Sequence, residues 1–297
     1  MTENEHLENA EDIIVPPKKK KHSIVWKIIL AIIIIIAAYA GYNFYQNTQI
    51  EKNFYQVQSG NVISNIRIIC LSDLHMKEFG NKNERLIKTV EDLSPDIIAI
   101  VGDMNLESRP DDYEVVTSLC KSLNSIAPVY YSLGNHELDA MLFGDSDIYD
   151  DLKAAGIKIF NNESETVEIN GTPIDIIGLT QGPESYYDYG VAFFDKVMNE
   201  TDNFKLLLNH YPENFLGVIE EYNIDLALCG HAHGGQVRLP GIGGLYAADQ
   251  GFLPELCDGY HEIENSKVII TRGLGSSGVV PRINNKPEIA IVDVSWY

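Results

Sequence analysis

The chain has 297 residues, 45% of them hydrophobic, which suffices for one large domain with a well-filled core. Its 43 acidic residues outnumber 22 basic ones and leave a formal net charge of -21. No surplus of Lys and Arg exists to neutralise a nucleic-acid backbone, which argues against that class of partner, and any small anionic substrate needs a local positive charge.

Residues 1–22 join an acidic stretch, Pro16-Pro17 and the run Lys18 to Lys21, a composition expected of a disordered tail. Ile24 to Tyr42, "IVWKIILAIIIIIAAYAGY", is apolar apart from Lys27. At 1.5 Å per residue it reaches about 28 Å, close to the roughly 30 Å of a hydrocarbon core, and predicts a transmembrane signal-anchor over 23–44. The lysines stand before it and only Lys52 follows closely. That bias puts the N-terminus in the cytoplasm and the rest outside the cell membrane. Ala38-Tyr39-Ala40 fits a cleavage site, so a removed signal peptide is the alternative. Residues 45–61 read as a polar juxtamembrane linker, and 62–297 as one domain without internal repeats.

Along that domain, short β-branched runs alternate with helical patterns. Strands are expected at Ile66 to Leu71, Ile97 to Val101, Val129 to Leu133, Ile174 to Leu179, Lys205 to Asn209 and Asp225 to Cys229. Two more close the chain near Val268 to Thr271 and Glu288 to Val294. Helices are expected over Lys82 to Leu93, Tyr113 to Ile126, Ile148 to Ala155 and Phe215 to Tyr222. The alternation predicts an α/β fold. Cys70 and Cys229 fall inside apolar runs and read as buried free thiols.

What ends the strands carries the chemistry. "IICL" runs into "SDLH", with Asp73 and His75; "IIAIV" into "GDMN", with Asp103; "VYYSL" into "GNHE", with Asn135, His136 and Glu137. "LLLN" is followed by His210, and "LALC" by "GHAH", with His231 and His233. Five of the eight histidines lie in these clusters. Sites on open α/β sheets gather beyond the carboxyl ends of strands, so the clusters are expected to meet at one edge. Taken alone, Asp103 fits a structural turn as well as a ligand. Together the residues form a mixed imidazole, carboxylate and amide set suited to first-row divalent ions. Seven donors are too many for one tetrahedral ion and suit two, about 3.5–4 Å apart, joined by a carboxylate. Such a pair makes a solvent molecule reactive towards phosphorus and supplies the missing positive charge. His136 is placed to stabilise phosphoryl oxygens and protonate a leaving oxygen. Gly102, Gly134 and Gly230 each precede a ligand, where the chain must turn tightly.

These residues in this order resemble the calcineurin-like metallophosphoesterase superfamily, over roughly residues 62 to 297. The resemblance implies an αββα sandwich, two β-sheets flanked by helices, with a two-metal site at one edge. It implies Asp73, His75, Asp103 and His233 on one ion, Asp103, Asn135, His210 and His231 on the other, Asp103 bridging, and His136 catalytic. Manganese is expected first, with Fe, Zn or Mg as alternatives. "GDMN" departs from the acidic-ended pattern common in relatives. The N-terminal anchor, "GHAHGGQVRLP" and the stretch Thr271 to Ile289 are similar to a YkuE-like membrane-anchored branch, some of whose members are linked to UDP-2,3-diacylglucosamine hydrolysis in lipid A synthesis. The expected function is hydrolysis of a phosphoester or pyrophosphate on a small-molecule or lipid substrate. Arg272 and Arg282 are candidate phosphate contacts, or else structural arginines. The loop Gln181 to Val191 is expected to set specificity. A membrane-tethered metal-binding scaffold without turnover is the alternative. A nuclease fits poorly, for want of a basic, aromatic groove.

Overall fold

Within the run Ile66–Leu71, side chains alternate between two interiors. Ile66, Ile68 and Cys70 pack into a layer shared with a second sheet, while Ile69 and Leu71 pack towards helices. Both faces are covered, which is why the strand is apolar apart from Arg67 instead of alternating with polar residues. The computed structural model describes residues 22–106, 113–143, 147–180, 182–186, 190–276, 278 and 280–297. The expected tail over 1–22, apart from its last residue, and part of the 181–191 loop lie outside the described residues.

Two six-stranded sheets form the domain. The first contains β1 (Glu51–Gln58), β2 (Ile66–Leu71), β3 (Ile97–Val101), β4 (Val129–Ser132), β5 (Lys158–Phe160) and β12 (Glu288–Ser295), in the order β1-β12-β2-β3-β4-β5. The second contains β6 (Glu163–Ile169), β7 (Thr172–Leu179), β8 (Phe204–Asn209), β9 (Leu226–Cys229), β10 (Gly259–Ile263) and β11 (Ser266–Ile270), in the order β10-β11-β9-β8-β7-β6. Strands β2 to β5 run parallel, as do β7, β8, β9 and β11, so the carboxyl ends in each set share an edge.

Between the sheets, Ile68, Ala99 and Val101 meet Ile176, Leu206 and Leu228. Outside the first sheet lie α2 (Glu84–Leu93), α3 (Glu114–Asn124), α4 (Asn135–Phe143) and α5 (Asp147–Ala154), whose Leu86, Leu119, Ala140 and Leu152 are buried against Ile69, Ile98 and Ile100. Outside the second sheet α6 (Val191–Met198) buries Phe194 and Val197 against Ile177 and Leu207. This is the αββα sandwich. All four cysteines are buried free thiols.

Residues 1–42 and 43–297 form separate compact units. Helix α1 (His22–Asn47) begins in the first, and its side chains from 24 to 42 are exposed throughout. It is the one helix among the described residues long and apolar enough to cross a membrane. Its last turn belongs to the domain: Asn47 Nδ2 donates to Arg282 O at 2.9 Å, and Asn43 Oδ1 accepts from Asn284 N at 3.0 Å.

Two expectations need correction. The linker over 45–61 contains β1, paired in parallel with β12 along its whole length from Glu51↔Glu288 to Gln58↔Ser295. "EKNFYQVQ" is an edge strand with mostly exposed or half-buried side chains, so composition alone hides it. The helix expected over Phe215 to Tyr222 does not form. A 3-10 turn over Pro212–Phe215 is followed by Gly217 at φ 100°, which breaks the helical path. Deep in the second sheet, Lys205 Nζ lies 2.8 Å from Asp175 Oδ2. Burial alone would raise the Asp175 carboxyl, but hydrogen bonds from Asn203, Lys205, Thr201 and Thr166 hold it down at about 2.

Candidate metal centre

Each predicted ligand sits where a parallel strand ends. Asp73 and His75 follow β2, Asp103 follows β3, and Asn135 and His136 open α4 after β4. His210 follows β8, and His231 and His233 follow β9. The backbone there is unusual. Asp73, His75, Asp103, His231 and His233 all have left-handed φ, between 47° and 62°. Asp and His tolerate that region better than most residues, yet each such residue costs of order 1 kcal/mol, which only surrounding structure can hold. The loops supply the restraint themselves: Asp73 N donates to Gly102 O at 3.0 Å, and His75 N to Asp103 O at 3.1 Å. Glu137 completes it. Its carboxylate accepts from Asp103 N at 2.7 Å, Met104 N at 2.8 Å, Gly134 N at 2.9 Å and Tyr131 Oη at 2.6 Å.

The glycines before the ligands serve two different ends. Gly102 has φ 85°, so its turn needs glycine for the angle itself. Gly230 has an ordinary φ and is needed for space, because a Cβ there would sit 2.1 Å from Ser72 Oγ and 2.7 Å from Asp73 Oδ2.

The side chains converge into three overlapping groups: Asp73, His75 and His233; His75, Asp103 and His136; and Asp103, His210 and His231. Within each group, one donor atom per residue lies within 4.8 Å of the others. His75 Nε2 and His233 Nε2 are 3.2 Å apart, and His233 Nε2 is 3.6 Å from Asp73 Oδ1. On the other side, His210 Nε2 is 3.1 Å from Asp103 Oδ2 and 3.2 Å from His231 Nδ1. Asp103 Oδ2 also lies 4.0 Å from His75 Nε2, so one carboxylate reaches both groups. His210 Nδ1 donates to Val101 O at 2.7 Å, which fixes the ring and leaves Nε2 facing the carboxylate. His136 N donates to Asp103 Oδ1 at 3.0 Å, and its Nε2 stands 3.9 Å from Asp103 Oδ2.

Burial sets the protonation pattern. It pushes His75 down to about 4 and His233 well below its ordinary value, leaving both imidazoles neutral, the form that ligates metal. Burial, with the nearby Asp103 carboxylate, raises Asp73 to about 6. For Asp103 itself, burial is outweighed by His210, His75 and His136, and its carboxyl stays below the usual range. Conversely, Asp103 raises His210 to about 10 against the opposing effect of burial.

The arrangement fits divalent cations. The donors are imidazole nitrogens and carboxylate oxygens, and the buried Asn135 Oδ1 and His233 Nδ1 lack any hydrogen-bond partner. An amide oxygen left unsatisfied beside such a cluster is the expected state of a ligand atom, since burying it unpaired otherwise costs about 1–3 kcal/mol.

The family model for calcineurin-like phosphoesterases matches residues 66–235, a stretch that contains every residue of these groups. The chain belongs to the calcineurin-like phosphoesterase family. An uncharacterized metallophosphoesterase of Campylobacter jejuni, Cj0846, is 31% identical over 80% of this chain and 61% of its own length. The metallophosphoesterase YkuE of Bacillus subtilis is 26% identical over 76% of this chain and 77% of its own. The phosphodiesterase YaeI of Escherichia coli is 25% identical over 77% of this chain and 82% of its own. The chain thus spans less than two thirds of the Campylobacter relative.

The structure does not bring every expected residue of this family member into the cluster. Arg272 is buried and pairs through Nε with Glu288 and through Nη2 with Glu51 at 2.6 Å. Arg282 is 3% exposed and donates to the carbonyls of Gly275, Arg272 and Asn285, at 2.8, 2.8 and 3.0 Å. Arg282 is spent on the segment that backs the Asp73 loop, where Leu274 N donates to Ser72 O at 3.0 Å, and Arg272 ties that segment to β1 through Glu51. Of the two readings the sequence left open for them, these contacts favour the structural one. Asp249, absent from the motif pattern, reaches His231 Nε2 at 2.9 Å. Nothing near "AADQG" marks it in the sequence, because the contact is made only by the fold.

Proposed function

We propose that this protein is a membrane-tethered, dinuclear-metal phosphoesterase. The observation that carries the reading is the Asp103 carboxylate standing between the His75 and His210 groups, within 4.0 and 3.1 Å of their ring nitrogens. Asp73, His75, Asp103 and His233 would hold one ion, and Asp103, Asn135, His210 and His231 the other. When bound, two divalent cations activate water and neutralise phosphoryl charge, which reconciles an anionic substrate with a chain of net charge -21. Manganese is the first choice among them, on donor type.

The remaining work falls to the chain's own groups. Glu137 clamps the amides that carry Asp103, so the bridging carboxylate is held before substrate arrives. His136 presents its ring edge to His75, with centroids 4.8 Å apart, at the lip of the cluster. From there it donates to a phosphoryl oxygen and passes a proton to the leaving oxygen. The name of the E. coli relative supports a diester among the substrates. The apolar helix α1 supports a substrate met at the membrane, a phosphorylated small molecule or a lipid of the nucleotide-sugar kind, with the lysine bias favouring an extracytoplasmic domain.

The test is Mn-dependent hydrolysis of bis-p-nitrophenyl phosphate by the detergent-solubilised full chain. His136→Ala should lower kcat by roughly 10²–10⁴, and Asp103→Ala should abolish turnover and metal uptake together. Turnover indifferent to chelator and to both substitutions would refute the reading. Metal uptake without any turnover would leave a scaffold.

A further inference from the structure

The candidate metal centre has an apolar neighbour. A cavity of about 390 Å³ opens beside His233, walled by Val237, Leu245, Tyr246, Ala247, Phe252 and Val280. Gln236, also on its wall, directs its amide to Ser276 Oγ and Val280 O, so little polar capacity faces the space. A phosphoester centred on the candidate ligands would lay one substituent against this wall, because His233 belongs to both.

The rim is apolar as well. Two short ribbons, Arg238–Leu239 paired with Gly243–Gly244 and Tyr246–Ala247 paired with Gly251–Phe252, hold side chains out into solvent. Phe252 is 78% exposed, Val280 55% and Tyr246 51%. A cluster of large apolar groups around a cavity mouth marks a binding surface.

The domain itself indicates what meets it. Asn43 and Asn47, the last turn of the apolar helix, bond to Asn284 N and Arg282 O, two to four residues beyond Val280 on the rim. Asn284 Nδ2 in turn donates to Arg238 O, where the first ribbon starts, at 3.2 Å. The last turn of the membrane-crossing candidate found among the described residues thus bonds to the loop that carries this rim. Bilayer lipid is the apolar material that this connection keeps within reach.

We propose that the cavity is an acyl-chain subsite, and that the substrate is a lipid phosphoester whose hydrocarbon tail enters beside His233 while its phosphorus lies over the candidate ligands. The proposal rests on the phosphoesterase reading above. Its test uses the detergent-solubilised full chain with Mn²⁺ and a series of p-nitrophenyl alkyl phosphodiesters, from methyl to octyl. Each methylene that leaves water for the cavity should raise kcat/KM about fourfold, levelling once the space is filled. Phe252→Asp and Val280→Asp, on exposed rim positions, should flatten that slope while thermal melting is preserved. A flat series with measurable turnover overturns the subsite and leaves the phosphoesterase reading intact. So does a slope that both variants retain, since partition into micelles would then explain it. No turnover of any member overturns both.

Discussion

The Glu137 carboxylate offers a sharp test of how the centre is assembled. It accepts five hydrogen bonds: Asp103 N and Gly134 N on Oε2, and Met104 N, Tyr131 Oη and, at 3.5 Å, Asn105 N on Oε1. Glu137→Gln keeps size and shape but leaves one acceptor oxygen, so at least two donors must face an NH₂ group whichever way the amide turns. Hydrogen bonds to a charged group contribute about 1.5–3 kcal/mol each, so two lost bonds amount to roughly 3–6 kcal/mol. A domain of this size loses about 2–4 °C per kcal/mol, and relaxation of the loop trims the cost, so the melting temperature should fall by roughly 6–15 °C. Asp103 rides on the same loop in left-handed backbone, so the Mn²⁺ concentration for half-maximal activity should rise at least tenfold. Melting curves and Mn²⁺ titrations of the variant measure both. A shift under 2 °C with unaltered Mn²⁺ dependence would refute the argument that Glu137 holds the bridge.

Other expectations follow from the same geometry. Asp249→Asn and Asp249→Ala should weaken metal binding 10–100-fold by freeing the His231 ring, with the asparagine variant the milder; equal, unchanged affinities by calorimetry would deny the positioning role. Arg272→Met should destabilise the domain by about 3–5 kcal/mol, by stranding Glu288 in the interior, and Arg272→Met with Glu288→Met should recover most of it in urea melts. Asp175 is held at about 2 in the folded chain, below its unfolded value near 3.8, so its contribution is complete above pH 4 and fades as pH falls towards 2. Asp175→Asn should remove that part of the acid dependence, visible as a flatter stability profile between pH 4 and 2.

The parts of the fold that were legible in the sequence are those buried on both faces. "IRIICL" and "IIAIV" form strands over the predicted residues, as runs so short, β-branched and largely apolar do when covered on both faces. The edge strands β1, β6 and β10 were not legible. "EKNFYQVQ", "ESETVEI" and "GYHEI" are largely solvent-facing, and their pairing with partners is a tertiary fact. Helix α4 was hidden for a related reason, since "NHELDAMLF" has to serve the centre and the core at once. The candidate ligands could be named from sequence because each follows a strand end. Asp249 and the grip of Glu137 on five donors could not, since a carboxylate looks the same in sequence whether it faces water or a neighbour's amides. Arg272 and Arg282 were left open between phosphate contact and structural cation, because the partners that favour the structural role are set by the fold.

The parallel pairing of β1 with β12 has a practical consequence. A soluble form begun at residue 62 would strip away the partner of the final strand, baring its row of amides and carbonyls from Glu288 to Ser295. Such a row templates pairing with another copy, so that protein should aggregate through its own last strand, while one begun at Asn43 should stay monodisperse.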